Sequence, residues 1–147
     1  MPPETVLKPG WWWFALGAAV FAAATTLLGK VGVGTVNSNV ATFIRVVVML
    51  VTTAGLLSFR GEWTGFQGIS VRNWLIVIAS GVATGLSWLC YFRALQLAPA
   101  SRVAPLDKLS VALVLICAFV FLGEAFTWQT ALGGALIVAG VLLVSLA

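Results

Sequence analysis

Residues 74–97 read WLIVIASGVATGLSWLCYFRALQL, and within them only Arg93 carries a charge. About 20 apolar residues in a helix cross the ~30 Å hydrocarbon layer of a bilayer, and this run has residues to spare. Its apolar positions do not alternate with polar ones, so it does not read as a strand of a membrane barrel. In lipid the backbone must satisfy its own hydrogen bonds, and the helix is the form that remains. Four more stretches of the same kind flank this one, separated by turns. The chain therefore reads as an all-α membrane protein, a bundle of five transmembrane helices at about 11–33, 38–59, 72–97, 101–122 and 127–146, with a short tail over 1–10 and a single domain over 11–147.

Composition agrees. Hydrophobic residues make up 61% of the 147 and charged residues 8%, against about 25% charged in a soluble domain. The net charge of +4 is spread along the chain, and no basic arm suggests nucleic acid as a partner. There is no His, and no Cys pair at metal-ligand spacing. Cys90 lies about 5 Å before Arg93 and Cys117 about 22 Å past Arg102. That difference in depth excludes a disulfide, whose Cα atoms must approach within ~7 Å. The first apolar run is longer than the core of a secretory leader, and Glu4 with Lys8 makes a poor start for one. Trp11, Trp12 and Trp13 read instead as an interfacial belt.

The helix ends are punctuated. Gly29–Gly34 and Lys30 close the first helix, Asn37, Ser38 and Asn39 offer caps for the second, and 60–72 is the longest loop. Pro99 and Pro105 are expected at the start of helix 4, where proline is tolerated. Gly123 stops that helix and Thr127 can cap the fifth.

Five crossings place the termini on opposite faces and sort the charges. Lys30, Arg45, Arg93, Arg102, Asp107 and Lys108 fall toward the face that holds the 1–2 and 3–4 turns. Lys8, Arg60, Glu62, Arg72 and Glu124 belong to the other. Flanking Lys and Arg are balanced between the faces, with Lys30, Arg93 and Arg102 against Lys8, Arg60 and Arg72. A protein of one orientation usually shows a bias. Balance leaves two readings open: a fixed orientation with a weak signal, or dual topology, in which copies insert both ways and pair antiparallel.

The polar residues inside the spans are the functional candidates. A charge at a helix centre costs about 2.5–3.5 kcal/mol, and less toward the ends, where Arg45, Asp107 and Lys108 lie. Arg45 is about 9 Å along its helix from Asn39. It can snorkel to the interface or, with Arg93, join a structural or pathway ion pair. Asp107 is about 7.5 Å beyond Arg102, and its short carboxylate needs a cation or water at its own depth. Neighbouring helical residues do not face each other, so Lys30 or Arg45 is expected to serve Asp107 better than Lys108 does. A structural ion pair and a substrate or proton site are both open for it. In helix 3, Gly81, Gly85, Trp88 and Phe92 share a face with Tyr91 at its edge. Trp88 is deep for a belt residue and reads as a cavity wall or an interhelical donor. Ala15, Ala19, Ala22, Thr26 and Gly29 form a small-residue stripe on helix 1, and Gly133 and Gly140 suit a peripheral helix or a packing seam on helix 5. Glu124 reads as a solvated interface residue. No nucleophile–base pair, phosphate loop or paired carboxylates appears, so neither an enzyme nor a cofactor is indicated.

Three runs carry a family resemblance: NSNVATFIRVVV from Asn37, GLSWLCYFRALQLAPASRVAPLDKLSV from Gly85, and APLDKLSVALVLICAFVFLGEAFTWQTALGGALIVAGVLLVSL from Ala104 to Leu146. Together they resemble the EamA domain of the drug/metabolite transporter superfamily, in its short five-helix form. Longer members carry two such domains, inverted around a central cavity. The resemblance implies that this chain is half of an inverted-repeat transporter, completed by a second copy or by a paralogous five-helix chain. It also implies that helices 1, 3 and 4 line the passage, placing Lys30, Trp88, Tyr91, Asp107 and Lys108 along the substrate pathway. Related small multidrug exporters use a glutamate in helix 1, and this chain has no acid there. Its basic residues favour a carboxylate-bearing metabolite instead.

The expectation is an integral membrane transporter, working as an exporter of a small polar or amphipathic metabolite. It would act as an antiparallel homodimer by alternating access in a bacterial or archaeal cell membrane. The alternative is a non-transporting membrane subunit of a larger complex.

Overall fold

The computed structural model describes residues 9–146. The expected tail lies outside them apart from Pro9 and Gly10, as do Lys8 and the residues on which a leader would begin. All regular structure among the described residues is helical: α1 (Trp11–Gly32), α2 (Ser38–Arg60), a 3₁₀ turn (Glu62–Phe66), α3 (Val71–Leu97), α4 (Ala100–Asp107), α5 (Leu109–Leu122) and α6 (Trp128–Leu146). Five spans are long and apolar enough to cross a membrane, with α4 and α5 together making one of them.

Local chemistry sets the ends. The Asn37 side chain accepts the Asn39 amide at 2.9 Å and starts α2. Gly61 ends it at φ 66°, a left-handed backbone that suits glycine. Ser70 Oγ accepts the Asn73 amide at 3.2 Å at the head of α3. Gly123 closes α5 at φ 67° while the Glu124 amide reaches back to the Ala118 carbonyl at 3.2 Å, the wrap that satisfies a helix's last carbonyls. Thr127 Oγ1 accepts the Thr130 amide at 3.2 Å and caps α6.

The fourth span departs from expectation. Pro99 caps α4, but Pro105 sits inside it, past the first turn. Proline has no amide hydrogen and crowds the preceding turn. Just beyond the proline the backbone tightens: the Lys108 amide bonds to the Pro105 carbonyl at 2.8 Å and the Val111 amide to the Lys108 carbonyl at 3.0 Å. The span is thus two helices hinged at Lys108.

The chain forms two compact units, one of them Lys30–Leu97 and the other the described parts of Met1–Gly29 and Ala98–Ala147. In the first, α2 packs along α3. Its buried residues, Val33, Ser38, Thr42, Phe92 and Leu95, all lie toward the end where the 33–37 turn meets the last turns of α3. The threonine hydroxyls of these helices turn back on their own backbone, Thr42 to Ser38, Thr52 to Val48, Thr53 to Met49 and Thr84 to Ser80. Each hydroxyl is thereby satisfied without a partner helix.

In the second unit α6 packs against α4 and α5, burying Val103, Ala118 and Val141. Ser145 Oγ donates to the Arg102 carbonyl at 3.4 Å. The expected seam at Gly133 and Gly140 is placed elsewhere: a Cβ at either would meet open space, whereas one on Gly134 would lie 3.1 Å from Leu115 Cδ1. Gly134 is therefore the residue that lets α5 and α6 approach. Leucine, valine and phenylalanine side chains along the spans are largely exposed, a surface that water would not tolerate and lipid would cover.

Candidate functional site

The Lys30–Leu97 unit brings Lys30 of α1 and the polar and aromatic residues of the last turns of α3 to one end, with Arg45 of α2 beside them. Helix α3 stops at Leu97, so its last four carbonyls lack partners within the helix. Lys30, in the last turn of α1, donates its ammonium to one of them, the Leu95 carbonyl. A cation at a helix C-terminus also meets the negative end of the helix dipole. Gln96 binds the other side of the joint. Its Nε2 donates to the Val36 carbonyl at 2.8 Å and the Val33 carbonyl at 3.2 Å, while its Oε1 accepts from Arg93 Nη1 at 3.0 Å. The 33–37 turn is thus tied to the end of α3 by one amide side chain that uses both its donors and its acceptor.

Arg45 lies one layer deeper. Its guanidinium carbon is 4.1 Å from the Phe92 ring centroid and 5.7 Å from that of Trp88. Trp88 and Phe92 are four residues apart and so share a face of α3. Tyr91 meets Phe92 edge-on, with ring centroids 5.6 Å apart. The Nε atom of Arg45 is buried and has no hydrogen-bond partner among the described residues. Between Lys30 and Leu97 the only acidic residue is Glu62, which stands 3.7 Å from Arg60. Arg45 and Arg93 are therefore held by rings and an amide, with no carboxylate nearby in their own unit.

Asp107 and Lys108 lie in the other unit, at the α4–α5 joint. Contrary to expectation they pair with each other, Nζ to Oδ2 at 3.3 Å, with both side chains exposed. Both side chains stand at the surface of the joint, where the long Lys108 side chain reaches round to its neighbour's carboxylate. Cys90 and Cys117 are both free and exposed. No group of three His, Cys, Asp or Glu among the described residues could hold a metal ion.

Of the residues read from sequence, Lys30, Arg45, Trp88, Tyr91 and Arg93 thus belong to one unit, and Asp107 with Lys108 to the other. Gln96 and the Arg45–Phe92 stack were not foreseen. Gln96 was detectable as the one amide side chain in the last turn of an otherwise apolar helix. The arrangement presents an electropositive, aromatic-lined end suited to binding an anion.

The chain belongs to the EamA-like transporter family, which it matches over residues 10–146. It is 48% identical over 139 residues to an uncharacterized transporter in the cobO 3′ region of Sinorhizobium sp., covering 95% of this chain and 99% of that one. It is 35% identical over 126 residues to human solute carrier family 35 member G1, covering 84% of this chain and 33% of the relative. It is 29% identical over 126 residues to a riboflavin transporter of Vibrio cholerae, covering 86% of this chain and 41% of the relative. The chain thus spans nearly all of the first relative and well under half of the other two. No solved structure matches it.

Proposed function

We propose that this membrane transporter exports a small carboxylate-bearing metabolite, polar or amphipathic, as an antiparallel homodimer working by alternating access in a prokaryotic cell membrane. The observation that carries this reading is one of length. A relative named a transporter is matched from end to end by a single five-span chain, while two longer relatives each have room for a second such set. An inverted second copy would supply that set here, and the balanced Lys and Arg of the two faces allow insertion both ways. Residues 11–147 act as one domain in this scheme, half of an inverted repeat, with the substrate near the repeat interface.

Trp88 and Tyr91 form walls of the passage. Lys30 and Lys108 attract the substrate's anionic group. Asp107 releases Lys108 when substrate arrives, or carries a proton.

The test is flux. Protein reconstituted in liposomes should move members of a carboxylate panel, and a pH gradient across the membrane should alter the rate if Asp107 carries a proton. Folded protein with no flux across a broad panel would contradict the proposal. A Trp88→Cys variant in a Cys90→Ala, Cys117→Ala background should react with a water-soluble thiol reagent if Trp88 faces an aqueous passage. A non-transporting subunit predicts no reaction.

A further inference from the structure

Lys30 has the Leu95 carbonyl as an acceptor, Arg93 has Gln96, and Lys108 has Asp107. Arg45 has two aromatic rings and a buried Nε with no acceptor. A guanidinium cannot shed its proton in a protein, so the charge persists at this depth. Ring faces offset part of the cost of burial but are neutral. The only carboxylate of the unit, Glu62, lies beyond the far end of α2, about 25 Å along the helix from Arg45.

We infer that Arg45 is the anion-recognition residue of the transport site and that its ligand is a carboxylate carried on a planar aromatic body. This rests on the transport reading above, and it makes Arg45, not Lys30 or Lys108, the substrate's primary charged contact. Phe92 covers one face of the guanidinium and fixes its plane. With Nε shut off, the carboxylate meets the terminal nitrogens, which match it in a two-pronged, charge-assisted bond. Trp88, half-buried beside Arg45, offers its ring to the substrate's own. A planar aromatic acid therefore gains from both the charge and the ring, and an aliphatic acid from the charge alone.

Equilibrium dialysis of radiolabelled benzoate against the full-length protein in phosphatidylcholine nanodiscs tests this. Benzoate should bind saturably and benzamide should not displace it. Arg45→Gln should weaken binding about tenfold or more. Arg60→Gln, at the far end of α2, should leave it unchanged. Should Arg45→Gln lose its helical circular dichroism, Arg45→Lys keeps the charge without the fork and should still bind several-fold more weakly. Trp88→Leu should reduce the preference for benzoate over acetate. Equal benzoate affinity in wild type and folded Arg45 variants overturns the assignment, and so does displacement by benzamide. Phosphatidylglycerol nanodiscs separate the two sources of anion. If benzoate binds in neither lipid while Arg45→Gln sheds co-purified anionic lipid, a headgroup holds Arg45 and the assignment fails. Benzoate binding without flux leaves Arg45 standing and contradicts transport instead.

Discussion

The guanidinium of Arg45 rests 4.1 Å from the ring centroid of Phe92, and Phe92 is 1% exposed. The charge within α2 is therefore carried on the most closely packed ring of α3. Phe92→Ala should cost about 3–5 kcal/mol, as cavity and contact are lost together, and Phe92→Leu less. In a double-mutant cycle with Arg45→Met, the pair should show a coupling of about 0.5–2 kcal/mol, measured by reversible unfolding in mixed micelles. A Phe92→Leu cost that is the same with and without Arg45 would show that the stack contributes nothing.

Gln96 closes the α1–α2 turn onto α3 through the Val33 and Val36 carbonyls. Gln96→Ala removes both bonds, each with a net value of about 0.5–1.5 kcal/mol. The expected effect is faster amide hydrogen exchange across residues 33–37 with little change in the rest of α3. Exchange in that turn at the wild-type rate would mean that the latch is incidental.

Gly134 faces Leu115 across the α5–α6 seam. Gly134→Ala needs only the flexible tip of Leu115 to move, so it should cost less than about 1 kcal/mol, whereas Gly134→Leu overpacks the seam and should cost about 3 kcal/mol or more. Gly133→Ala and Gly140→Ala point into open space and should stay within about 0.5 kcal/mol. Thermal unfolding in detergent separates them, and a Gly140→Ala loss equal to that of Gly134→Leu would refute the packing.

Pro105 lies inside α4, three residues before the break at Lys108. Pro105→Ala restores an amide donor toward the Ser101 carbonyl, in the turn before the break, and should leave stability the same or higher. Thermal unfolding in detergent checks this, and a loss of more than about 1 kcal/mol would show that the proline's fixed φ holds that turn.

What could be read from the chain alone follows from the physics of each feature. Apolar runs such as 74–97 declare their own length and helical form, because in lipid the backbone has no other solution. The caps at Asn37, Gly123 and Thr127 are local chemistry and were equally legible. The break at Lys108 was hidden because it falls three residues past Pro105, whereas a proline disturbs the turn before it. The stack of Arg45 on Phe92 depends on how α2 is rotated against α3, and periodicity fixes that rotation poorly in helices that are apolar all round. Gly134 was passed over for Gly133 and Gly140 for the same reason.

The central claim is that one five-span chain becomes a conduit only by pairing with an inverted copy of itself. Fusing the C-terminus to two reporters, one active only in the cytoplasm and one only outside it, tests that claim most directly. Antiparallel pairing predicts comparable signal from both reporters, shifted strongly toward one by a single added Lys at a turn. Signal from one reporter alone, unmoved by the added charge, would contradict it.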